Sequence, residues 1–228
     1  MNPAPGTVDP DGARRTLRGG GAVVLPNPAP LTHTVAATVP RAVNTAKGRP
    51  AGQAVALWAH HRDTLTALDD ALDLDTSLTA LARRLLAEER VTLLVPLRVD
   101  ANRPDWLAPA SRDGWALLFG ARWEPLLPVL DAFPVLYVSS ANRTGHPPAA
   151  TAAQAVAMFA PATPVLALDH APAAADGPAE EPRAATTTLR LHTDGRVELH
   201  RTGAHDRPFP APERYLDHVQ RLYGIRGR

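Results

Sequence analysis

Short apolar runs alternate along the chain with longer segments in which apolar residues recur every three or four positions. The runs at residues 91–97 (VTLLVPL) and 134–139 (PVLYVS) have the length and composition of buried strands. Residues 77–90 carry leucines on one stripe at helical spacing, and Thr76 or Ser77 can cap that helix. Over the whole chain, the same criteria predict strands at residues 21–26, 53–59, 91–97, 114–119, 134–139, 165–168, 187–192 and 196–201, and helices at 38–46, 63–72, 77–90, 125–132, 151–159 and 212–223.

Strands and helices are interleaved over most of the chain, which predicts one mixed α/β domain. The last two strands are expected to pair as a hairpin around residues 193–195. The low-complexity segment 171–185 is predicted to be a mobile loop. Residues 1–19, rich in proline, glycine and polar side chains, are predicted to be a flexible tail. The α/β domain then covers residues 20–205, and residues 206–228 form a C-terminal helical extension.

Composition excludes several classes of protein. A hydrophobic fraction of 45% in 228 residues argues against a wholly disordered chain, and a net charge of +1 argues against nucleic-acid binding through bulk charge alone. Because cysteine is absent, disulfide scaffolds, thiol nucleophiles and thiolate metal sites are excluded. The first 20 residues lack the apolar core of a signal peptide, and no run of about 18 apolar residues follows. We therefore expect a cytoplasmic protein without a membrane span.

Only one of the 24 basic residues is a lysine, and it stands in the segment Lys47-Gly48-Arg49-Pro50 after a predicted helix. An ammonium ion is a compact point charge and a guanidinium is a planar fork, so Lys47 and Arg49 together can hold a polyphosphate from two directions. The alternative is a basic helix end that complements the helix dipole.

A second polar segment, residues 139–145 (SSANRTG), follows the predicted strand at 134–139. Ligands of α/β sheets bind at the carboxyl ends of strands, where side chains such as Ser140 and Asn142 can contact phosphate or ribose oxygens. Serine and asparagine also make local backbone bonds in turns, which is the alternative interpretation. Two weaker candidates are Thr92, inside a predicted strand, and Arg201, at the end of another.

Taken in chain order, these segments resemble the YrdC-like threonylcarbamoyl-adenylate synthases. The pattern of that family is Lys-x-Arg-Pro after a helix, a strand containing a threonine, a Ser-Ala-Asn-x-Ser/Thr-Gly turn and an Arg-x-Gly near the end. The likeness extends from about Gly19 to Ala204. The matching residues are Lys47-Gly48-Arg49-Pro50, Val91-Thr92, Ser140-Ala141-Asn142-Arg143-Thr144-Gly145 and Arg201-Thr202-Gly203.

The resemblance implies a twisted open mixed sheet with flanking helices and a large concave cavity. It also implies an ATP-dependent reaction, with magnesium carried by the nucleotide. L-threonine and bicarbonate form an N-carboxy species whose carboxylate attacks the α-phosphate of ATP, giving threonylcarbamoyl-AMP and pyrophosphate. A downstream transferase then delivers the group to an adenosine of tRNA.

The resemblance further assigns roles to individual residues. No metal site made of protein side chains is expected, since the pair His60 and His61 would point apart on a strand and has no third ligand at a useful spacing. The implied catalytic residues are Lys47 and Arg49, the implied nucleotide contacts are Lys47, Arg49, Thr92, Ser140, Asn142 and Arg201, and the candidates for amino-acid binding are Thr32, His33 and Thr34.

One segment departs from the family pattern. Where family members carry Pro-Thr-Asp/Glu-Thr-x-Tyr-Gly, which helps to bind threonine, this chain reads PNPAPLT over residues 26–32, without the carboxylate, the aromatic ring or the glycine. Two alternatives follow. The protein can be a divergent paralogue that makes a carbamoyl-type adenylate from another amine, or a non-catalytic module that binds a nucleotide or double-stranded RNA.

Overall fold

The computed structural model describes residues 4–168 and 182–225. Contacts divide the chain into two units, each made of two chain segments: Met1–Val55 with Arg122–Ala185, and Ala56–Ala121 with Thr186–Arg228. Both units combine a sheet with helices, which confirms the predicted mixed α/β class. In the described residues no helix is both long and apolar enough to cross a membrane.

The described residues of the first unit form five strands of mixed direction. Numbered in chain order, they are β1 (Thr7–Val8), β2 (Ala22–Leu25), β3 (Thr34–Ala37), β8 (Tyr137–Ser140) and β9 (Val165–Leu166). Strands β1 and β2 pair in parallel with β9, β2 pairs antiparallel with β3, and β3 pairs antiparallel with β8.

The part of this unit that the structure describes also contains four α-helices. They are α1 (Pro10–Arg18), α2 (Pro40–Ala46), α5 (Leu127–Leu130) and α6 (Ala152–Phe159). A 3₁₀ turn, Glu124–Leu126, precedes α5. The helix α6 begins with a capping box, in which the Thr151 hydroxyl accepts from the backbone N–H of Gln154 and the Gln154 side chain reaches back to the N-cap backbone.

The N-terminal segment corrects one prediction. Residues 7–18, expected to belong to a flexible tail, instead form strand β1 and helix α1. The Asp9 carboxylate caps α1 by accepting from the N–H of Gly12, and the helix fully buries Ala13 and Leu17. An apolar stripe of two residues is too sparse to be recognised by periodicity, so the tail prediction is wrong for these residues.

The second unit also contains a mixed sheet. Strand β7 pairs in parallel with β4 and antiparallel with β5 and β6, while β10 pairs in parallel with β5 and antiparallel with β11. The pairing of β10 with β11 confirms the predicted hairpin. The strands are β4 (Ala56–Trp58), β5 (Thr92–Pro96), β6 (Ser111–Arg112), β7 (Trp115–Phe119), β10 (Thr188–Leu191) and β11 (Val197–Arg201).

The helices of the second unit follow the predicted positions, with one correction. The N-cap of α4 is Asp75, whose carboxylate accepts from the N–H of Leu78 at 2.8 Å, and not Thr76 or Ser77. A π-helical turn, Leu85–Glu89, continues α4, and a 3₁₀ helix, Asp105–Ala110, precedes β6. The helices are α3 (Arg62–Asp69), α4 (Thr76–Arg84) and α7 (Pro212–Tyr223).

The predicted division into tail, domain and extension does not follow these units. Residues 1–19 belong to the first unit and α7 belongs to the second. Most of the low-complexity segment 171–185 lies outside the described residues. Of its described part, Ala184 forms a parallel bridge with Leu31 in the first unit.

Candidate functional site

Lys47 is placed by the end of helix α2. Pro40 opens this helix, where its missing N–H costs nothing, and the Lys47 N–H still bonds the Val43 carbonyl at 3.2 Å. Gly48 then adopts a φ of +66°, a left-handed conformation that suits glycine and turns the chain away from the helix axis. Lys47 itself is only 3% exposed, which is unusual for a lysine.

The opposite wall of the site comes from the end of strand β8. Ser140 is the last residue of β8 and lies directly across from Thr34 of β3. Beyond it, the N–H of Ala141 bonds the His33 carbonyl at 2.8 Å, and Ala149 returns to bond the Ala141 carbonyl at 2.8 Å. The turn between Ala141 and Ala149 is therefore anchored at both ends.

The Lys47 ammonium group contacts two polar side chains, that of Ser140 at the end of β8 and that of Asn142 in this turn. Its Nζ donates to the Asn142 Oδ1 at 2.7 Å, to the Ser140 carbonyl oxygen, and to the Ser140 Oγ at 3.4 Å. The Ser140 hydroxyl in turn donates to the same Asn142 Oδ1 at 2.7 Å. These three acceptors are neutral oxygens, and together they orient the ammonium group.

Backbone bonds hold the two halves of this cluster together. The Thr144 N–H donates to the Lys47 carbonyl at 3.3 Å, and the Thr144 hydroxyl reaches the same oxygen at 3.4 Å. The Asn142 Nδ2 donates to the His146 carbonyl at 3.0 Å, which fixes the amide so that its oxygen faces Lys47. The structure thus brings Lys47, Ser140 and Asn142 into contact with one another, while their catalytic and nucleotide-binding roles stay predictions.

Arg49 is oriented by a buried asparagine that the sequence analysis did not single out. Its Nη2 donates to the Asn44 Oδ1 at 2.7 Å, and the Asn44 Nδ2 bonds the carbonyls of Ala51 and Gln53 at 2.9 and 2.8 Å. The Arg49 Nε is buried and has no hydrogen-bond partner within the described residues. Burial lowers the pKa of Arg49, yet an arginine side chain remains charged at neutral pH. A half-buried guanidinium whose Nε–H has no partner among the described residues is suited to an anionic ligand.

The altered segment, residues 26–32, and the two residues that follow it lie against the same turn. Asn27 is 1% exposed, and its Nδ2 donates to the Thr32 carbonyl at 2.8 Å and weakly to the Thr34 hydroxyl at 3.4 Å. Because residues directly opposite each other on paired strands share a face, Thr34 lies beside Ser140. The Asn27 Oδ1 is buried without a hydrogen-bond partner among the described residues, so this end of the site still offers an acceptor.

Thr32 and His33 are the other two predicted amino-acid contacts, and their backbone N–H groups form hydrogen bonds within the fold. The N–H of Thr32 bonds the Ala184 carbonyl at 2.9 Å, and the N–H of His33 bonds the Ala149 carbonyl at 3.0 Å. Both side chains are buried, at 3% and 2% exposure. No sequence motif pointed to Asn27, and only its burial and its unsatisfied Oδ1 in the structure identify it as part of this site.

Thr92 and Arg201 belong to the second unit. The Thr92 hydroxyl is buried and forms a 2.5 Å hydrogen bond with that of Thr186, while Arg201 ends β11 and is exposed. The turn after Arg201 is held by Asp206, whose Oδ1 accepts from the Gly203 N–H and from the Thr187 hydroxyl, both at 2.6 Å. The nucleotide roles of Thr92 and Arg201 stay predictions.

Solved structures of other proteins are similar to this chain. P. abyssi Sua5 in complex with L-threonine is 18% identical, with a TM-score of 0.65 over 95% of this chain and 58% of Sua5. E. coli YciO is 14% identical, with a TM-score of 0.61 over 88% of this chain and 92% of YciO. Full-length HypF in a phosphate- and nucleotide-bound form is 13% identical, with a TM-score of 0.60 over 87% of this chain and 29% of HypF.

The chain therefore spans somewhat more than half of the length of Sua5 and less than a third of that of HypF. No protein-family model and no curated protein sequence matches it. At these identities the likeness is one of fold.

Proposed function

We propose that this chain, which has the YrdC-like fold of Sua5 and YciO, uses ATP to convert an amine and bicarbonate into a carbamoyl-type adenylate, with L-threonine as the first candidate amine. The observation that carries the proposal is the cationic cluster of the first unit. Lys47 is held by the neutral oxygens of Ser140 and Asn142, and the buried Arg49 Nε has no hydrogen-bond partner among the described residues. Two cations oriented in this way are suited to bind an anion.

The proposed reaction has two bond-forming steps. The amine nitrogen attacks the carbon of bicarbonate, and water leaves to give an N-carboxylate. An oxygen of that carboxylate attacks the α-phosphorus of ATP, the bond from this phosphorus to the bridging oxygen breaks, and pyrophosphate leaves. No covalent intermediate on the protein is needed, so the work of the protein is positioning and charge stabilisation.

Lys47 and Arg49 supply complementary parts of that stabilisation. A compact ammonium group can sit between a carboxylate oxygen and a phosphate oxygen, whereas a guanidinium spans two oxygens of one phosphate. Preorganised positive charge is most effective where negative charge grows in the transition state, here on the oxygens around the α-phosphorus and on the leaving pyrophosphate. The Ser140 hydroxyl and the Asn142 amide keep the ammonium group in place before the substrate arrives.

Two of the similar structures support this choice of substrates by their ligands. Sua5 was solved with L-threonine and HypF with phosphate and nucleotide. For this chain, ATP, bicarbonate and an amino acid are accordingly the proposed small-molecule partners. A tRNA-modifying transferase that consumes the adenylate is the proposed downstream partner.

A second candidate function is supported by Asn27. The Oδ1 of this residue is buried without a hydrogen-bond partner among the described residues, and its Nδ2 contacts the Thr34 hydroxyl, at the end of the site that the altered segment forms. A neutral amide oxygen accepts from an ammonium or amine N–H but attracts it less than a carboxylate does. An amine other than threonine is therefore the alternative substrate within the same reaction class.

The deciding experiment measures pyrophosphate. The full chain is incubated with ATP, magnesium and bicarbonate, without amine, with L-threonine, and with a panel of other amino acids and small amines. We expect release that depends on bicarbonate and on threonine. Release that occurs with another amine and not with threonine would support the divergent paralogue. If no mixture releases pyrophosphate while the chain binds ATP or double-stranded RNA, the enzymatic proposal fails and a binding module remains.

A further inference from the structure

A cavity of about 720 Å³ lies in the first unit, beside the turn that carries Asn142. Neither Lys47, Ser140 nor Asn142 lines it. Its size falls in the range of pockets that enclose small organic molecules. It is therefore a candidate binding site in addition to the cationic cluster.

The lining of the cavity is cationic on one side and apolar on the other. Arg143, His146 and Arg183 contribute to its wall, and no aspartate or glutamate does among the described residues. The apolar wall contains Pro147 and Met158. An apolar wall makes no favourable contact with a small hydrated anion. The lining therefore matches a ligand that combines a carboxylate or phosphate group with an apolar body.

The guanidinium of Arg143 has no partner among the residues that the structure describes. Its residue is exposed, and its side chain makes neither a hydrogen bond nor an ion pair with any described residue. Its backbone, in contrast, is fixed, since the Arg143 N–H bonds the Met158 Sδ at 3.3 Å. The base of this side chain is thus held at the cavity while its charge remains available to a ligand.

The rest of the wall is held by hydrogen bonds. The Arg183 Nη1 donates to the carbonyls of Asn27 and Leu31 at 3.2 and 3.0 Å, which orients this guanidinium. The Gln154 Oε1, which belongs to the capping box of α6, also accepts from the Ala150 N–H at 2.8 Å. A ligand would therefore meet a largely preformed wall, which lowers the entropic cost of binding.

We propose that this cavity binds a small organic anion with an apolar body, held by Arg143 and Arg183, at a site separate from the Lys47 cluster. The proposal does not rest on the adenylation reaction, because no residue to which that reaction is assigned lines the cavity. An anion of this class would lie against the turn that orients Asn142.

The test uses phenyl phosphate and benzoate as anionic probes and benzyl alcohol as their neutral counterpart. Each is titrated into the full chain while backbone amide signals are followed by NMR. We expect saturable shifts at residues 143–158 with either anion and not with the alcohol. Arg143→Ala and the cavity-filling Ala157→Trp should each weaken binding at least tenfold, while the matched exposed substitution Arg41→Ala should change it less than twofold.

Three results would overturn the proposal. They are shifts that fail to saturate, equal binding of benzyl alcohol, and unchanged affinity in Ala157→Trp with the folded spectrum retained. Lys47→Ala tests the separation of the two sites. Binding of phenyl phosphate within twofold of the wild type supports separate sites, whereas a tenfold loss would show that the anion occupies the Lys47 cluster. Failure of the pyrophosphate assay leaves this outcome unaffected.

Discussion

The ammonium nitrogen of Lys47 lies 2.7 Å from the amide oxygen of Asn142, although 95 residues separate the two along the chain. The contact joins the end of helix α2 to the turn after strand β8, and the Ser140 hydroxyl donates to the same amide oxygen. The single lysine among the 24 basic residues is therefore held by specific hydrogen bonds. Substitutions at Lys47 and at its partners test whether activity depends on this arrangement.

Lys47→Arg is expected to lower nucleotide-dependent pyrophosphate release at least a hundredfold. Arginine keeps the charge, but its planar group is too bulky for a position that is 3% exposed and bonded to Ser140 and Asn142. Overpacking of this kind costs about 1–3 kcal/mol of the free energy of unfolding, which thermal melting measures in parallel.

Arg41→Lys is the matched control, because Arg41 is exposed on the same helix and the exchange there should leave both activity and melting temperature unchanged. Activity of Lys47→Arg equal to that of the wild type would remove Lys47 from the proposed site. A loss of activity caused only by unfolding would show in the melting curve.

Asn142→Asp is expected to separate stability from ligand affinity. The aspartate keeps an acceptor close to the Lys47 ammonium group and adds a negative charge, so the free energy of unfolding should stay within about 1 kcal/mol of the wild type. The affinity for ATP should fall at least tenfold, because the new carboxylate cancels the charge of Lys47 and repels phosphate. Calorimetric titration measures that affinity.

An added charge elsewhere provides the comparison for this variant. Asn102→Asp adds the same charge at an exposed residue of the second unit and should leave ATP affinity within twofold. If Asn142→Asp binds ATP as tightly as the wild type, the Lys47 cluster is not the phosphate site.

Short sequence motifs predict which residues form the Lys47 cluster, and the structure shows which of these residues contact one another. Lys47, Ser140 and Asn142 stand next to helix and strand ends that the apolar pattern predicted. Their mutual contact depends on the pairing of β3 with β8, and β3 was not predicted. That strand reads TVAA, and its alanines carry too little apolar surface to mark a buried strand.

Asn27 and Asn44 were missed for a different physical reason. Both are buried asparagines whose amide nitrogens bond backbone carbonyls. Their importance follows from where those carbonyls lie in the fold. In the sequence, Asn27 stands in a Pro-rich stretch and looks like ordinary turn chemistry, while Asn44 stands inside a predicted helix with no motif to mark it. Arg183, which bonds the carbonyls of Asn27 and Leu31 from more than 150 residues away, could not be connected to that segment without the structure.

Asn44→Ala is expected to weaken both the fold and the orientation of Arg49. The substitution removes hydrogen bonds to the carbonyls of Ala51 and Gln53 and the acceptor for the Arg49 Nη2, at a fully buried position. Removal of a buried polar network of this size costs about 1–3 kcal/mol, which urea denaturation resolves. The KM for ATP should rise as well, because Arg49 loses its anchor.

The exposed substitution Asn102→Ala serves as the control for Asn44→Ala and should stay within about 0.5 kcal/mol of the wild type. A stable Asn44→Ala protein with unchanged KM would mean that Arg49 is oriented without Asn44.

Tyr223→Phe tests how helix α7 is held in the second unit. Burial raises the pKa of Tyr223 to about 12, and the Tyr223 hydroxyl bonds the Glu89 carboxylate at 3.3 Å. An unfolded tyrosine titrates near 10, so the folded state holds its proton more tightly and stability is lost as pH rises from about 10 to 12. Urea denaturation at pH 9 and pH 11 should show a smaller loss in Tyr223→Phe than in the wild type, and an identical loss would exclude this contribution.

His205→Leu is expected to reduce the sensitivity of the second unit to acid. Burial lowers the pKa of His205 to about 4, and its Nδ1 is buried without a partner in the described residues. The unfolded imidazole titrates near 6.5, so the stability contributed by neutral His205 is complete above that pH and is lost as pH falls toward 4. Melting temperatures at pH 7.5 and pH 5 should differ less in His205→Leu than in the wild type. His146→Leu, at an exposed histidine, should keep the wild-type difference, and an equal difference in all three proteins would exclude His205 as the acid-sensitive group.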